Sequence, residues 1–234
     1  MNDDKCIIFN WNVRGLNSVA RRDVVRGLVN DHRCSVVCLQ ETKLACVDDN
    51  VIIQTLGQQF VGSYFYLPAQ GTRGGVIVAC SHDLYTLQSV TTGQYSIAAI
   101  ITSRADNSQW SITGVYGPQE DQEKIQFRPC LDLYSEMCSL RHQMLPSWII
   151  LGDFNLIYRA CDKNTDRVNR GMMHRFKSAL DNLELKEIHL HGRKYIWSSE
   201  TDSPTLTKID HVFCTKEGNE PPAQLYAGPV FLSF

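Results

Sequence analysis

Short apolar runs recur along the chain, and each is bounded by Gly, Asn, Asp or Ser. Runs of four to seven residues rich in β-branched and aromatic side chains are typical of β-strands. They span residues 6–11, 36–39, 64–67, 75–80, 97–101, 110–116, 148–151 and 209–214. Because so many strands occur within 234 residues, we expect two packed sheets rather than one.

Helical spacing appears between some of these runs. The apolar positions that carry this prediction are Val24, Val25, Leu28 and Val29 for a first helix, and Phe176, Leu180 and Leu183 for a third. The first helix is expected over residues 19–32. A second, longer helix is expected between residues 120 and 143, with Pro129 interrupting or bending it. Helices interspersed with meandering strands indicate an α/β protein with mixed or mainly antiparallel sheets.

Composition and charge narrow the class of protein. Hydrophobic residues make up 43% and charged residues 21%, which excludes a disordered chain and favours a globular core. No repeat or low-complexity linker divides the sequence, so residues 1–234 are interpreted as a single domain. The formal net charge is −2, and proteins that coat nucleic acid by bulk electrostatics are usually strongly basic. A polyanionic substrate would therefore need a local basic patch.

The cysteines and the chain start carry little functional information. The nine cysteines show no Cys-x-x-Cys pair and no histidine partner at zinc spacing, which favours reduced, buried thiols. The chain shows no basic, cleavable leader and no apolar stretch of membrane length. We therefore expect an intracellular protein that does not associate with membranes.

Polar side chains lie at or next to the ends of five of the apolar runs. They are Asn12, Glu41, Tyr116, Asp153 with Asn155 two residues on, and Asp210. Singly, each fits a turn, a surface or a core position. Together they form a set of oxygen and amide donors without Cys or His, at strand ends where a scaffold presents side chains to a cleft. Such a set suits a hard divalent cation such as Mg²⁺.

The order of these motifs resembles a known family. The segments are Asn-Trp-Asn-Val-Arg-Gly-Leu-Asn at 10–17, Leu-Gln-Glu-Thr-Lys at 39–43, Gly-Val-Tyr-Gly-Pro at 114–118, Leu-Gly-Asp-Phe-Asn at 151–155 and Lys-Ile-Asp-His at 208–211. In this order they resemble the endonuclease/exonuclease/phosphatase superfamily, above all the apurinic/apyrimidinic-type endonuclease domain of plant non-LTR (LINE) retrotransposons. The resemblance implies a four-layered α/β sandwich, with two packed mixed sheets flanked by helices.

The resemblance also implies a role for each strand-end residue. Catalysis would rest on Asp153, Asn155, Tyr116, Asp210 and Asn12, and the metal would be held by Glu41, Asn12 and Asp210. Within this set, Asp153 would orient or deprotonate the attacking water, while Asn155 and Tyr116 would contact the scissile phosphate. The expected cofactor is Mg²⁺, with Mn²⁺ as a substitute.

The implied activity is nicking of duplex DNA to leave a 3′-hydroxyl and a 5′-phosphate. In a retrotransposon the 3′-hydroxyl primes reverse transcription by a domain of the same polyprotein, which is expected downstream of this chain. The activity would then be exercised in the nucleus.

The sequence departs from the family pattern in two places. Members usually end in a Ser-Asp-His segment, and none of the seven histidines here lies in that context. We therefore expect a domain cut short of that strand, with weak or no nicking. Ile196 precedes Trp197 where relatives often carry Thr, and isoleucine cannot donate a hydrogen bond. The lost hydroxyl is dispensable, is replaced by a nearby serine, or reflects decay without selection.

A local excess of basic residues follows the Gly-Asp-Phe-Asn motif. Residues 159–177 hold six Arg and Lys against two Asp. The predicted DNA-binding residues are Arg159, Lys163, Arg167 and Arg170, together with Arg193 and Lys208 near the last motif. Such contacts position a duplex without reading its sequence. The alternative for this charge run is a solvated helix face.

Three functional hypotheses stay open on the sequence alone. The first is a LINE-type nicking endonuclease, favoured by the segment at 10–17 and the Arg21-Arg22 pair. The second is another branch of the superfamily, such as an abasic-site repair nuclease, an RNA deadenylase or a lipid phosphatase. The third is an inert nucleic-acid-binding relic.

Overall fold

The computed structural model describes residues 6–118, 128–188, 195, 197–198, 204–215 and 223–227. The strands are β1 Cys6–Asn12, β2 Val36–Gln40, β3 Tyr64–Gln70, β4 Arg73–Cys80, β5 Tyr85–Thr92, β6 Ser96–Ser103, β7 Gln109–Tyr116, β8 Trp148–Asp153, β9 Leu185–Glu187, β10 Trp197–Ser198, β11 Leu206–Thr207, β12 Asp210–Thr215 and β13 Ala223–Ala227. The helices are α1 Val19–Asp31, α2 Asp49–Thr55, α3 Arg128–Arg141 and α4 Arg170–Asn182.

Most strands belong to two mixed sheets. The first sheet has the order β13-β1-β2-β4-β3, with parallel pairing among its first three strands and antiparallel pairing thereafter. The second has the order β5-β6-β7-β8-β12-β9, and only its β7–β8 pair is parallel. Strands β10 and β11 form a separate antiparallel pair.

Three apolar layers hold the sheets and helices together. The central layer lies between the sheets and joins side chains such as Ile8 and Val78 to Ile112 and Leu151. A second layer packs the first sheet against α1 and α2, and a third packs the second sheet against α3 and α4. Helix, sheet, sheet and helix therefore follow one another, which confirms the predicted four-layered α/β sandwich.

The helix predictions were right in type and less accurate in detail. Helix α1 begins after Ser18, whose side chain accepts a hydrogen bond from the Arg21 N–H, as an N-cap does. Val24 is 40% exposed, so it does not share the buried face of Val25 and Val29. Pro129 lies in the first turn of α3 and does not interrupt it, because first-turn N–H groups need no helical partner.

The part of that predicted helix at residues 119–127 lies outside the described residues. Helix α2 was not predicted, since its seven residues carry too few apolar positions to show a period. No helix among the described residues is long and apolar enough to span a bilayer. All nine cysteines are free thiols, and five of them are buried.

Candidate active site

The strand register brings three predicted site residues to one edge of the second sheet. Tyr116 at the end of β7 lies opposite Asp153 at the end of β8 in the parallel pair. Asp153 lies opposite Asp210 at the start of β12 in the antiparallel pair. All three side chains are buried. Three residues that are far apart in the sequence are therefore neighbours on adjacent strands.

Asn12 joins this group from the other sheet. Its Nδ2 donates a hydrogen bond of 2.7 Å to Oδ2 of Asp153, across 141 residues of sequence. Its Oδ1 accepts from the Arg14 backbone N–H at 3.1 Å, which sets the orientation of the amide. Strands of both sheets therefore present polar side chains to the same site.

Asn155 is held in place by its backbone as well as its amide. Its N–H donates to Oδ1 of Asp153 at 2.8 Å, and its Nδ2 donates to the Gly117 carbonyl at 3.0 Å. The Asn155 φ is 54°, in the left-handed region that Asn tolerates better than most residues. A Cβ at Gly117 would lie 2.2 Å from the Phe154 carbonyl oxygen, so only glycine allows this close approach.

The carboxylates of the site are poorly compensated. Burial, together with the charge of Glu41, raises the pKa of Asp153 to about 7, although hydrogen bonds from Asn155 and Asn12 lower it. Burial and the charge of Asp153 likewise hold the pKa of Asp210 well above its usual value. The positive charge of Arg14 lowers both values only in part.

Glu41 lies at the edge of this acidic group. It follows β2 with a φ of 53°, and its Oε1 lies 3.1 Å from Nζ of Lys43. Its side chain is 15% exposed, so it is partly accessible to solvent, while the side chains of the two aspartates are buried.

The donor set fits a hard divalent cation. Among the described residues no hydrogen-bond partner reaches Oδ1 of buried Asp210, and such an atom normally has one. Glu41, Asp210 and Asn12 offer only oxygen donors, as Mg²⁺ prefers. The described residues contain no ready cluster of three acidic, His or Cys ligands, so water and substrate oxygens would complete the coordination.

A polar cleft of about 290 Å³ adjoins Tyr116. Tyr95 and Arg73 contribute to its walls, as do the backbones of Gly74 and Gly117. A larger cavity of about 350 Å³ lies between α3 and α4, but its lining is mostly apolar and includes none of the strand-end site residues. The cleft beside Tyr116, and not the apolar cavity, therefore adjoins the candidate site.

Two of the predicted DNA-binding residues share Glu187 as a partner. Lys208 Nζ lies 2.7 Å from Oε1 of Glu187, and Arg159 Nη2 lies 3.0 Å from its Oε2. Nδ1 of fully buried His211 lies 3.0 Å from the same Oε1. The Lys208 side chain is 14% exposed and that of Arg159 is 43% exposed, so Lys208 is the less accessible of the two to a DNA phosphate.

The other basic residues of that set differ in accessibility. Arg167 and Arg170 are exposed on the segment that leads from the site edge into α4. Lys163 is half-buried, and its Nζ donates to the Arg167 carbonyl at 2.8 Å. Arg193 and Ile196 lie outside the described residues, so their predicted roles stay predictions.

Comparison with known proteins places this arrangement in a family. The model of the endonuclease/exonuclease/phosphatase family matches residues 9–225, which include every strand-end residue of the site. The chain belongs to that family. Its members are nucleases and phosphatases that depend on a divalent metal, which agrees with the donor set described above.

Solved structures share the fold at low sequence identity. The endonuclease domain of TRAS1, a telomere-specific non-LTR retrotransposon, is 16% identical, with 89% of this chain and 84% of that one covered at a TM-score of 0.61. The AP endonuclease LMAP from Leishmania major is 16% identical, with 92% and 81% covered at 0.70. The human Nocturnin catalytic domain is 14% identical, with 91% and 82% covered at 0.62.

Sequence reasoning missed two charged residues that make several contacts next to the candidate site. Glu187 collects three basic groups, and Arg21 contacts the loop that carries Asn12. The sequence alone offers Arg21-Arg22 only as a feature of the retrotransposon branch, because no local pattern records a contact with a backbone carbonyl.

Proposed function

We propose that this chain is a divalent-metal-dependent endonuclease that nicks duplex DNA, of the type carried by LINE retrotransposons. The observation that supports it best is the hydrogen bond between Asn12 and Asp153, which unites the polar strand ends of the two sheets in one site. The segment at 10–17 and the Arg21-Arg22 pair favour this branch of the family. A repair nuclease is the main alternative.

Asp153 is the base in this mechanism. Its buried carboxyl has a pKa raised to about 7, so it can take a proton from water near neutral pH. The hydrogen bonds from Asn12 Nδ2 and the Asn155 N–H hold its two oxygens in fixed directions. A water positioned against this carboxylate would be deprotonated as it attacks the phosphorus. The bond from phosphorus to the 3′ oxygen would break at the same time, and the leaving 3′ oxygen would take a proton from solvent.

Neutral donors face the charge that develops on the phosphate. Asn155 uses one amide N–H for the Gly117 carbonyl, and its second N–H is directed to a non-bridging oxygen in this proposal. Tyr116 contributes its hydroxyl from the wall of the adjoining cleft. Glu41, Asp210 and Asn12 would hold the divalent cation, which supplies Lewis-acid stabilisation of the phosphate charge.

The duplex would lie along the exposed segment that leads to α4. Arg167 and Arg170 are its accessible cations, whereas Arg159 and Lys208 already contact Glu187. The nick would leave a 3′-hydroxyl that a reverse transcriptase of the same polyprotein extends, in the nucleus.

The test is nicking of supercoiled plasmid under single-turnover conditions with protein in excess. We expect slow nicking with Mg²⁺ or Mn²⁺ and none with EDTA, because the proposed reaction needs a divalent cation to stabilise the phosphate charge. The nicks should carry 3′-hydroxyls that a DNA polymerase extends. No nicking with either metal would contradict the proposal, and far faster cleavage of an abasic duplex than of intact DNA would favour a repair nuclease.

A further inference from the structure

Two arginines of helix α1 reach back to the loop that follows β1. Arg21 Nη1 donates to the Val13 carbonyl at 2.8 Å, and Arg22 Nε donates to the Leu16 carbonyl at 2.7 Å. Both contacts are partly buried, where a charged donor to a carbonyl is stronger than in water. Nothing in the proposed reaction uses these side chains directly, so their contact with the loop needs its own explanation.

The Arg21 contact lies at one end of a continuous chain of hydrogen bonds. The Val13 carbonyl and the Arg14 N–H belong to the same peptide group. That N–H donates to Oδ1 of Asn12 at 3.1 Å, and Nδ2 of Asn12 donates to Oδ2 of Asp153 at 2.7 Å. A guanidinium, a peptide, a side-chain amide and a carboxylate are therefore linked in series, each donating to the next.

The direction of this chain determines how the Asn12 amide is oriented. A cation on the carbonyl of a peptide group makes the N–H of that group a better donor, and neighbouring bonds in such a chain strengthen one another. A flipped Asn12 amide would place its oxygen against the Asp153 carboxylate and its nitrogen against the Arg14 N–H. Both contacts would be repulsive, so the peptide selects the productive orientation.

The loop requires this support because its backbone conformation is unfavourable. Arg14 has a φ of 51° and Gly15 a φ of 114°, and the former is uncommon for a residue with a side chain. Backbone bonds fix the two ends, from Val13 N–H to the Gln40 carbonyl at 3.0 Å and from Leu16 N–H to the Thr42 carbonyl at 2.8 Å. Neither bond determines the plane of the peptide between Val13 and Arg14.

We propose that Arg21 is a positioning residue, which orients the Val13–Arg14 peptide and thereby the Asn12 amide that holds Asp153. The inference rests on the proposed function for its catalytic consequence, but the orientation of Asn12 can be observed without catalysis. Arg22 is less suited to a test because its Nη1 also donates to Gln54 of α2 at 2.8 Å, which joins two helices.

The experiment compares Arg21→Met with Arg26→Met in the whole chain. Arg26 lies on the same helix and pairs with Asp23 on the exposed surface, so it matches the change in charge without touching the loop. Side-chain amide signals of Asn12, assigned in ¹⁵N-labelled protein through an Asn12→Asp variant, report its hydrogen bonds directly. Arg21→Met should shift or split these signals, Arg21→Lys should restore them in part, and Arg26→Met should leave them in place.

Nicking kinetics supply the second readout. Arg21→Met should lower kcat about tenfold, as a small misplacement of a catalytic group does, with little change in KM for DNA. Unchanged Asn12 amide signals in a folded Arg21→Met protein would overturn the inference, whatever the nicking rate. If Arg21→Met does not fold, Arg21→Gln takes its place and is judged by the same signals. Absence of nicking in the wild-type chain would contradict the proposed function and leave the amide test valid.

Discussion

Buried carboxylates occur in two places on neighbouring strands, and nearby positive charges compensate them in one place but not in the other. On one face of β12, Glu187 is surrounded by His211, Lys208 and Arg159. On the other face, Asp210 and Asp153 lie together with few compensating charges. Burial raises the pKa of Glu187, but hydrogen bonds from His211 and Lys208 outweigh it and bring the value to about 2.

The difference separates a structural charge from a functional one. When a buried carboxylate has its partners in place, removing one partner is costly because a buried charge is left uncompensated. A buried carboxylate without enough partners destabilises the protein and keeps affinity for a proton or a cation. We therefore expect Asp153 and Asp210 to bind a proton or a cation, because they lack the positively charged partners that Glu187 already has. Four changes test this contrast.

The largest effect is expected from Asp153→Asn. Asparagine keeps the shape of the side chain but cannot accept the proton of the attacking water. Nicking with Mg²⁺ should fall by about 10²- to 10⁴-fold. Asp181→Asn, on the exposed surface of α4, is the matched control and should nick at the wild-type rate. Equal rates for the two variants would remove Asp153 from the mechanism.

Glu187→Gln should cause the largest loss of stability. It leaves His211 and Lys208 without the carboxylate that compensates them, which should cost about 3 kcal/mol in urea unfolding at pH 7. Because the pKa of Glu187 is lowered in the folded state from 4.5 to about 2, its contribution is present above pH 4.5 and lost as the pH falls toward 2.

The deficit of this variant should accordingly shrink through the acid range. Glu184→Gln, an exposed change three residues away, should match the wild type throughout. A constant deficit at every pH would show that the Gln variant is destabilised by packing and not by lost charge compensation.

The opposite pH dependence is expected for the candidate active site without metal. The pKa of Asp153 is raised from 3.8 to about 7, so between these values the folded protein keeps a proton that the unfolded chain releases. Stability should therefore fall as the pH rises from 4 to 7, by about 1.4 kcal/mol for each tenfold difference in proton affinity.

Asp153→Asn tests this expectation in thermal unfolding with EDTA. The variant should equal the wild type near pH 4 and exceed it at pH 8, and Mg²⁺ should narrow the gap by compensating the wild-type carboxylates. A wild-type protein that gains stability relative to the variant as the pH rises would contradict the expected proton affinity of Asp153.

The sequence predicted which polar side chains lie close together better than it predicted their surroundings, for a physical reason. Asn12, Tyr116 and Asp153 end strands, whereas Asp210 begins β12 instead of following a strand as the sequence predicted. Strand register is specified by alternating apolar positions that can be seen in the sequence. Glu187 and Arg21 act across the fold or through backbone carbonyls, which no local pattern records. The sequence predicts that Lys208 contacts DNA, because its partner Glu187 lies 21 residues away and is brought to it only by the folded sheet.

The smallest effect is expected from the exposed cations of the candidate DNA surface. Arg167→Ala with Arg170→Ala should weaken binding to any duplex and reduce the slope of log affinity against log salt by about 2, since each phosphate contact contributes about 0.9. Arg104→Ala, beyond the end of β6 that lies away from Tyr116, removes an exposed charge and should leave the slope unchanged. The comparison extends to Arg159→Ala, which should lower stability more than it lowers DNA affinity, because Glu187 already holds its guanidinium. An unchanged slope for the double variant would leave the charge run as a solvated surface and move the duplex toward the cleft beside Tyr116.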